Sequence, residues 1–370
     1  MDAESAAAVR TEEPIRVKRT CPGLRAGLTL ALCVPLAIAP AIRPAAAPRL
    51  RLAAATWLNG SGRPVYAPYF ETWTKDRVPA VARASGARRL VLAFLQTPKR
   101  GSCSVAWNGD PGQLVKPGGR YVGQIARLRA MGGDVVPSFG GYSADQGGTE
   151  IADSCSSVPK IVKAYESVVT TYRVTALDMD VEANSLNNKA GLERRSEALR
   201  LLQEWAFQTH RRLRITFTIG VEPWGLPADC LAVLKSAVAH GVRFTVNIMA
   251  FDYYIKASLT GIEMGNAAIK ALIGTHHQLA RLFPGFSQRR LWALEGITLL
   301  PGIDDYPKKT EVTSLGDARQ VLRFAVAHRL PLISIWAIQR DNGGCPGTID
   351  SNSCSGIKQP RWAFSHLLER

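Results

Sequence analysis

The chain has 370 residues, 46% of them hydrophobic and 21% charged, a balance that supplies a large folded core and excludes a disordered chain. Its formal net charge is +16, but the basic residues are scattered along the length without a long cluster or an aromatic–basic motif. That distribution argues against nucleic-acid binding and for a basic solvated surface, with attraction to anionic walls or polymers as the sharper alternative.

Residues 1–46 read as a targeting segment. Arg16, Lys18, Arg19 and Arg25 precede an apolar stretch from about Ala26 to Ile42, and Ala45, Ala46 and Ala47 offer small residues for cleavage. A signal peptide or an uncleaved signal anchor is expected, so the protein is secreted, or bound to a membrane only if the leader stays. The leader holds six basic and four acidic residues, so +14 of the +16 belongs to the remainder. Residues 47–63 form a short linker, and 64–370 one folded domain. Export favours disulfides among the five cysteines beyond the leader. Cys345 and Cys354 bracket a Gly/Ser/Asn-rich loop and are expected to pair. Cys103 and Cys155 lie in loops after strands and pair if those loops share a face, which leaves Cys230 as a buried thiol.

From Pro64 onward, short apolar runs alternate with longer amphipathic ones. Strands are expected at Val65–Phe70, Leu90–Leu95, Asp134–Ser138, Val174–Asp180, Arg214–Ile219, Phe244–Phe251, Arg290–Ile297 and Pro331–Trp336. Helices are expected at about 75–86, 119–132, 158–172, 188–210, 227–240, 264–283, 315–329 and 360–368, with Pro227 opening one and Gly86, Gly132 and Gly241 near the ends of others. Eight strands alternating with eight helices predict α/β architecture, a single (β/α)8 TIM barrel behind the secretory segment. In such a barrel, function gathers at the C-terminal ends of the strands.

The fourth expected strand ends in Leu177-Asp178-Met179-Asp180-Val181-Glu182, where apolar and acidic residues alternate. Period two sends Leu177, Met179 and Val181 to one face and the three acids to the other, about 7 Å apart. Three carboxylates on one face repel each other and are costly to bury unless protons are shared or donors surround them. The third strand runs into Ser138-Phe139-Gly140-Gly141-Tyr142, the sixth into Met249-Ala250-Phe251-Asp252-Tyr253-Tyr254, and the eighth into Trp336. Carboxylates and aromatic faces together suit a sugar ring: acids for the acetal, rings for its C–H surfaces. No cysteine or histidine spacing fits a zinc site, and no cofactor is implied.

These residues together resemble glycoside hydrolase family 18, the chitinase-like barrels. Ser138, Gly140 and Gly141 match its Ser-x-Gly-Gly; Asp178, Asp180 and Glu182 match the last three acids of its Asp-Gly-x-Asp-x-Asp-x-Glu, with Thr175 and Ala176 in place of the first pair. Met249 and Asp252 match its Met-x-Tyr-Asp, with Phe251 in place of the tyrosine, and Trp336 matches the closing tryptophan. Ala67-Pro68-Tyr69 and the stretch from Gly296 to Asp305 are similar to a bacterial chitinase branch, over roughly residues 64–366. The resemblance implies retaining, substrate-assisted hydrolysis of chitin or N-acetylglucosamine oligosaccharides, and a monomer is the default expectation for a secreted barrel. Glu182 is then the general acid, Asp180 holds the 2-acetamido N–H, Asp178 orients Asp180 or shares its proton, and Tyr253 (Tyr254 in reserve) holds the acetamido oxygen. Trp336, Asp252, Met249, Ser138, Gly140, Gly141 and Tyr69 are the expected substrate-binding residues. Two other classes stay open: a lectin-like binder on the same barrel, and a metal-dependent hydrolase using the three acids as ligands.

Overall fold

The computed structural model describes residues 62–253, 263–304, 311–348 and 352–369. The leader and most of the expected linker, with Tyr254 and Asp305, lie outside the described residues.

The first barrel strand comes in two halves. Val65–Tyr66 pairs in parallel with the last strand, Leu332–Ile335, and Tyr69–Glu71 pairs in parallel with the second, Arg89–Gln96. Between the halves, the Ala67 N–H donates to the Ile333 carbonyl at 3.0 Å and the Val91 N–H donates to the Pro68 carbonyl at 2.9 Å. The chain thus changes neighbours at Pro68, a residue with no N–H to leave unpaired. This crossing closes the sheet. Asp134–Gly140, Ala176–Val181, Arg214–Gly220, Thr245–Met249 and Glu295–Leu299 complete the circle, each parallel to the next. The helices between them are Val78–Ser85, Val122–Ala130, Val158–Tyr172, Lys189–Gln208, Ala228–Ala239, Met264–Leu282 and Leu315–His328, and Ala363–Leu368 follows the last strand. The architecture is the expected (β/α)8 barrel.

Sequence signals set the helix limits. Pro79 sits in the first turn of Val78–Ser85, and Gly86 ends it at φ +80°. Ser314 and Asp317 form a reciprocal capping box on Leu315–His328. The seventh strand departs from expectation. Arg290–Trp292 belongs to a helical turn, Gln288–Trp292, and the strand starts only at Glu295. The Arg290 guanidinium lies 3.6 Å from the centre of the Phe286 ring, while Leu291 and Trp292 are buried. An apolar run that follows two arginines reads equally as helix or strand, and packing chose the helix. Pairs not read from sequence are Ala106–Trp107, antiparallel to the second strand, and the hairpin of Gly302–Ile303 with Val312–Thr313.

The strands bury two distinct layers. Leu177, Met179, Val181, Ile215, Phe217, Ile219 and Ile248 face the helices. Ala67, Tyr69, Val91, Ala93, Val136, Ala176 and Leu332 fill the barrel interior. Both expected disulfides, Cys103–Cys155 and Cys345–Cys354, are present, and Cys230 is a buried free thiol.

Candidate active site

Asp178 sits inside the barrel, directly above its apolar floor. The register pairs it with Ser138 on the third strand and Thr216 on the fifth. Its Oδ2 accepts from the Ser138 hydroxyl at 2.6 Å and the Tyr69 hydroxyl at 3.0 Å, and its Oδ1 accepts from Thr218 at 2.8 Å. Asn247 Nδ2 donates to both Thr218 and Thr298, extending the layer across two more strands. Burial raises the Asp178 pKa to about 6, with the donors from Ser138, Thr218 and Tyr69 working against that rise. The acid is therefore held on every side by fixed dipoles.

Asp180 lies one pleat higher, opposite Gly140 and Thr218. It is buried, and its Oδ1 has no hydrogen-bond partner among the described residues. Burial pushes its pKa well above the usual carboxylate range, and the charges of Glu182, Asp178 and Asp145 push the same way. Glu182 ends the strand in extended backbone (φ −135°, ψ 179°), so it continues the inward face of Asp178 and Asp180. It is half-buried at the mouth. The three acids thus rise from a fully bonded base, through a buried middle carboxyl whose pKa is pushed up, to an accessible tip.

The two glycines beside them are fixed by close approach. At Gly140 (φ +93°) a Cβ would lie 2.1 Å from the Asp180 carbonyl oxygen, and at Gly141 (φ +83°) 2.5 Å from the Phe94 ring. The Gly141 N–H donates to the Asp180 carbonyl at 3.1 Å, drawing the third and fourth strand ends together.

A cavity of about 710 Å³ opens over this array. Tyr69, Gly140, Asp180, Glu182, Met249, Asp252 and Trp336, all expected from sequence, line it. Trp336 stacks on Phe94 with centroids 5.5 Å apart and planes 18° apart, and Trp73 stands 6.2 Å from Trp336 and 6.3 Å from Phe94. Together the three rings form an apolar wall. Ser138, bonded to Asp178, and Gly141, packed against Phe94, do not line the cavity themselves.

Tyr253 is placed elsewhere. Its ring is buried, does not line the cavity and stands near the carboxylates of Glu311, Glu222 and Asp304, while Phe251 occupies the wall. Its hydroxyl has no hydrogen-bond partner among the described residues. Asp252, with φ +50°, turns the backbone between the two. Trp107 is buried against Tyr172, and Trp224 is exposed outside the cavity. Sequence reasoning missed Trp73, Phe94, Gln96, Asn108 and Ser143 as wall residues, although the strand-end rule pointed at the loops that carry several of them. Among the described residues, no group of three or more His, Cys, Asp or Glu side chains is arranged to hold a metal ion.

Fold and site define a (β/α)8 glycosidase-type barrel with an acid ladder beneath an aromatic-walled mouth. No protein-family profile matches the chain. It is 31% identical over 316 residues to a probable bifunctional chitinase/lysozyme of Escherichia coli (strain K12), covering 82% of this chain and 34% of that protein. It is 30% identical over 287 residues to Endochitinase 11 of Metarhizium anisopliae, covering 75% of this chain and 52% of that one. Among solved structures, active domain 2 of a Pyrococcus furiosus chitinase superposes with a TM-score of 0.70 at 26% identity, covering 83% of this chain and 94% of that one. The chain therefore spans about a third and about half of the two curated relatives. In sequence and in fold the chain is thus similar to chitinases, in line with the resemblance of its strand-end motifs to glycoside hydrolase family 18.

Proposed function

We propose that the chain hydrolyses β-1,4 bonds between N-acetylglucosamine units, with retention and with the substrate's own acetamido group as nucleophile. The observation that carries this is the ladder itself: an accessible Glu182 directly above a buried Asp180, whose pKa burial and the neighbouring acids push upward, under an aromatic wall. Glu182 protonates the leaving glycosidic oxygen. Asp180 hydrogen-bonds the acetamido N–H and turns its carbonyl oxygen toward the anomeric carbon. An oxazolinium ion forms and water opens it, with Glu182 now as base. Asp178 shares a proton with Asp180 from its fixed cage. Trp336 and Phe94 stack on the sugar faces. The two disulfides support an oxidising destination, and we propose export through the leader at residues 1–46, with a membrane anchor as the alternative.

A second reading, carbohydrate binding with little turnover, draws on one observation. The cavity lacks Tyr253 from its lining and has Phe251 in its wall, a side chain that cannot hydrogen-bond an acetamido oxygen.

Purified protein with N-acetylglucosamine oligomers, beside Glu182→Gln and with or without chelator, separates these readings. Chelator-resistant cleavage to β-anomers, lowered about 10²-fold or more in the variant, supports the proposal. Binding without cleavage supports the lectin reading, and loss of cleavage on chelation supports a metal-dependent hydrolase.

A further inference from the structure

Behind the acid ladder lies a second set of buried charges that the mechanism does not use. Asp145, in the short helix Tyr142–Gly147 after the glycine pair, is fully buried. Its Oδ2 accepts from the backbone N–H of Glu182 at 2.5 Å. Its Oδ1 has no hydrogen-bond partner among the described residues and lies 3.2 Å from where a Gly140 Cβ would stand. Further back, Arg195 on Lys189–Gln208 is buried and donates to Glu150 Oε2 at 2.8 Å, with Asp153 at 3.9 Å. Asp153 in turn accepts from Ser185 and Asn188, in the turn and at the helix start that follow Glu182. One guanidinium therefore faces two carboxylates, Glu150 and Asp153, and its charge is also felt at Asp145.

We propose that Asp145 is a positioning residue that fixes Glu182 by holding its backbone N–H, while Asp153, beside Arg195, holds the turn that follows. Glu182 directly follows the strand Ala176–Val181, and the chain turns at once into a short 3-10 helix whose first residue, Ala183, has φ +43°. On the side that the Glu182 N–H faces, pairing with the third strand ends at Gly140 opposite Asp180, and the next carbonyl, that of Gly141, accepts from the Asp145 N–H at 3.0 Å. The side chain of Asp145 takes over where the sheet stops. A carboxyl suits this task because it keeps an acceptor oxygen for the N–H whether or not the group holds its proton. Burying this acid is unfavourable: burial and the Glu150 charge both raise its pKa, while Arg195 lowers it. The arrangement would be wasteful at a residue with nothing to hold.

The inference rests on Glu182 being the acid, so its test carries one readout that does not depend on turnover. Asp145→Ala removes the acceptor, whereas Asp145→Asn keeps an oxygen for the Glu182 N–H. The expected result is a fall in kcat of about 10²-fold for Asp145→Ala at nearly unchanged KM, the scale on which small misplacement of a catalytic group acts. Asp145→Asn should recover most of that loss. In parallel, the amide proton of Glu182, followed by NMR, should move upfield in Asp145→Ala and stay near its wild-type position in Asp145→Asn. Equal impairment of both variants, or an unmoved Glu182 amide in Asp145→Ala, overturns the proposal. A wild type that never cleaves while the amide still responds sinks the catalytic reading of Glu182 and leaves the hydrogen bond standing. If Asp145→Ala fails to fold, the Asn variant decides alone: a displaced Glu182 amide or a kcat loss as large as that of Glu182→Gln counts against the proposal.

Discussion

Tyr69 shows how much one hydroxyl carries. It donates to Asp178, lies 2.7 Å from the Thr218 hydroxyl, and its ring stands 5.5 Å from that of Trp336. Tyr69→Phe keeps the ring and removes both polar contacts. A cost of about 1–3 kcal/mol in stability is expected, since a buried carboxyl loses a donor. The same change should raise the Asp178 pKa above about 6, because a donor to the charged form is gone. A urea midpoint and a carboxylate ¹³C titration check the two parts, and a lowered Asp178 pKa would contradict the account. At this scale the acids, the glycines and Trp336 were legible because period two and strand ends fix where they point. Phe94 was not. Val91 and Ala93 face the interior, so strict alternation turns Phe94 outward; a register shift between Leu92 and Leu95 brings it to the mouth instead. The positive φ at Asp252 does the same for Phe251 and Tyr253, exchanging the residue expected at the wall.

The elements themselves were largely legible, because eight strand runs and eight amphipathic runs leave few ways to be arranged. The exceptions are short pieces whose state depends on contacts distant in sequence. Ala106–Trp107 pairs with the second strand only because the following chain folds back, and Trp107 then donates to Tyr172 at 2.8 Å. The excursion between the second strand and Val158–Tyr172 is tied down by Cys103–Cys155, a link of 52 residues. Ser154, beside Cys155, donates to the carbonyls of Lys99 and Ser102, and Thr149 donates to the wall residue Gln96. The disulfide therefore joins elements that also carry the cavity rim. Loop-closure entropy for 52 residues corresponds to about 4 kcal/mol, against roughly 2.6 kcal/mol for the nine-residue link Cys345–Cys354. Replacing Cys103 and Cys155 by serine should lower Tm more than replacing Cys345 and Cys354. Calorimetry of the two double variants decides it, and the reverse order would show that the rim holds without its covalent tie.

For the molecule as a whole, the buried acids make stability depend on pH in an unusual direction. Burial raises Glu71 and Glu295 to about 8, Glu311 and Glu369 to about 7, and Asp178 to about 6. His276, which pairs with Glu295 at 2.7 Å, is also raised, by its hydrogen bonds to Glu295 and Gln288 against the desolvation that lowers it. Each of these groups binds its proton more tightly folded than unfolded. Their contribution is fully present below the unfolded pKa values, near 4 for the acids and near 6.5 for the histidine, and is lost as pH rises through the folded values toward 8. Stability should therefore decline between about pH 5 and 9, by a few degrees in Tm for each net unit of linkage, which is about 1.4 kcal/mol. Below pH 4 a different force takes over. The chain already carries +16 at neutrality, and protonating its exposed carboxylates adds self-repulsion. Salt tells the two limbs apart: it screens repulsion between exposed charges and hardly touches a carboxyl buried from solvent. Scanning calorimetry from pH 3 to 9 at low and high salt should show an acid limb that salt relieves and an alkaline limb that it does not. A Tm that climbs steadily toward pH 9 would mean that the acid ladder and its neighbours enter the folded state ionised, and would remove the proton that the proposed chemistry needs.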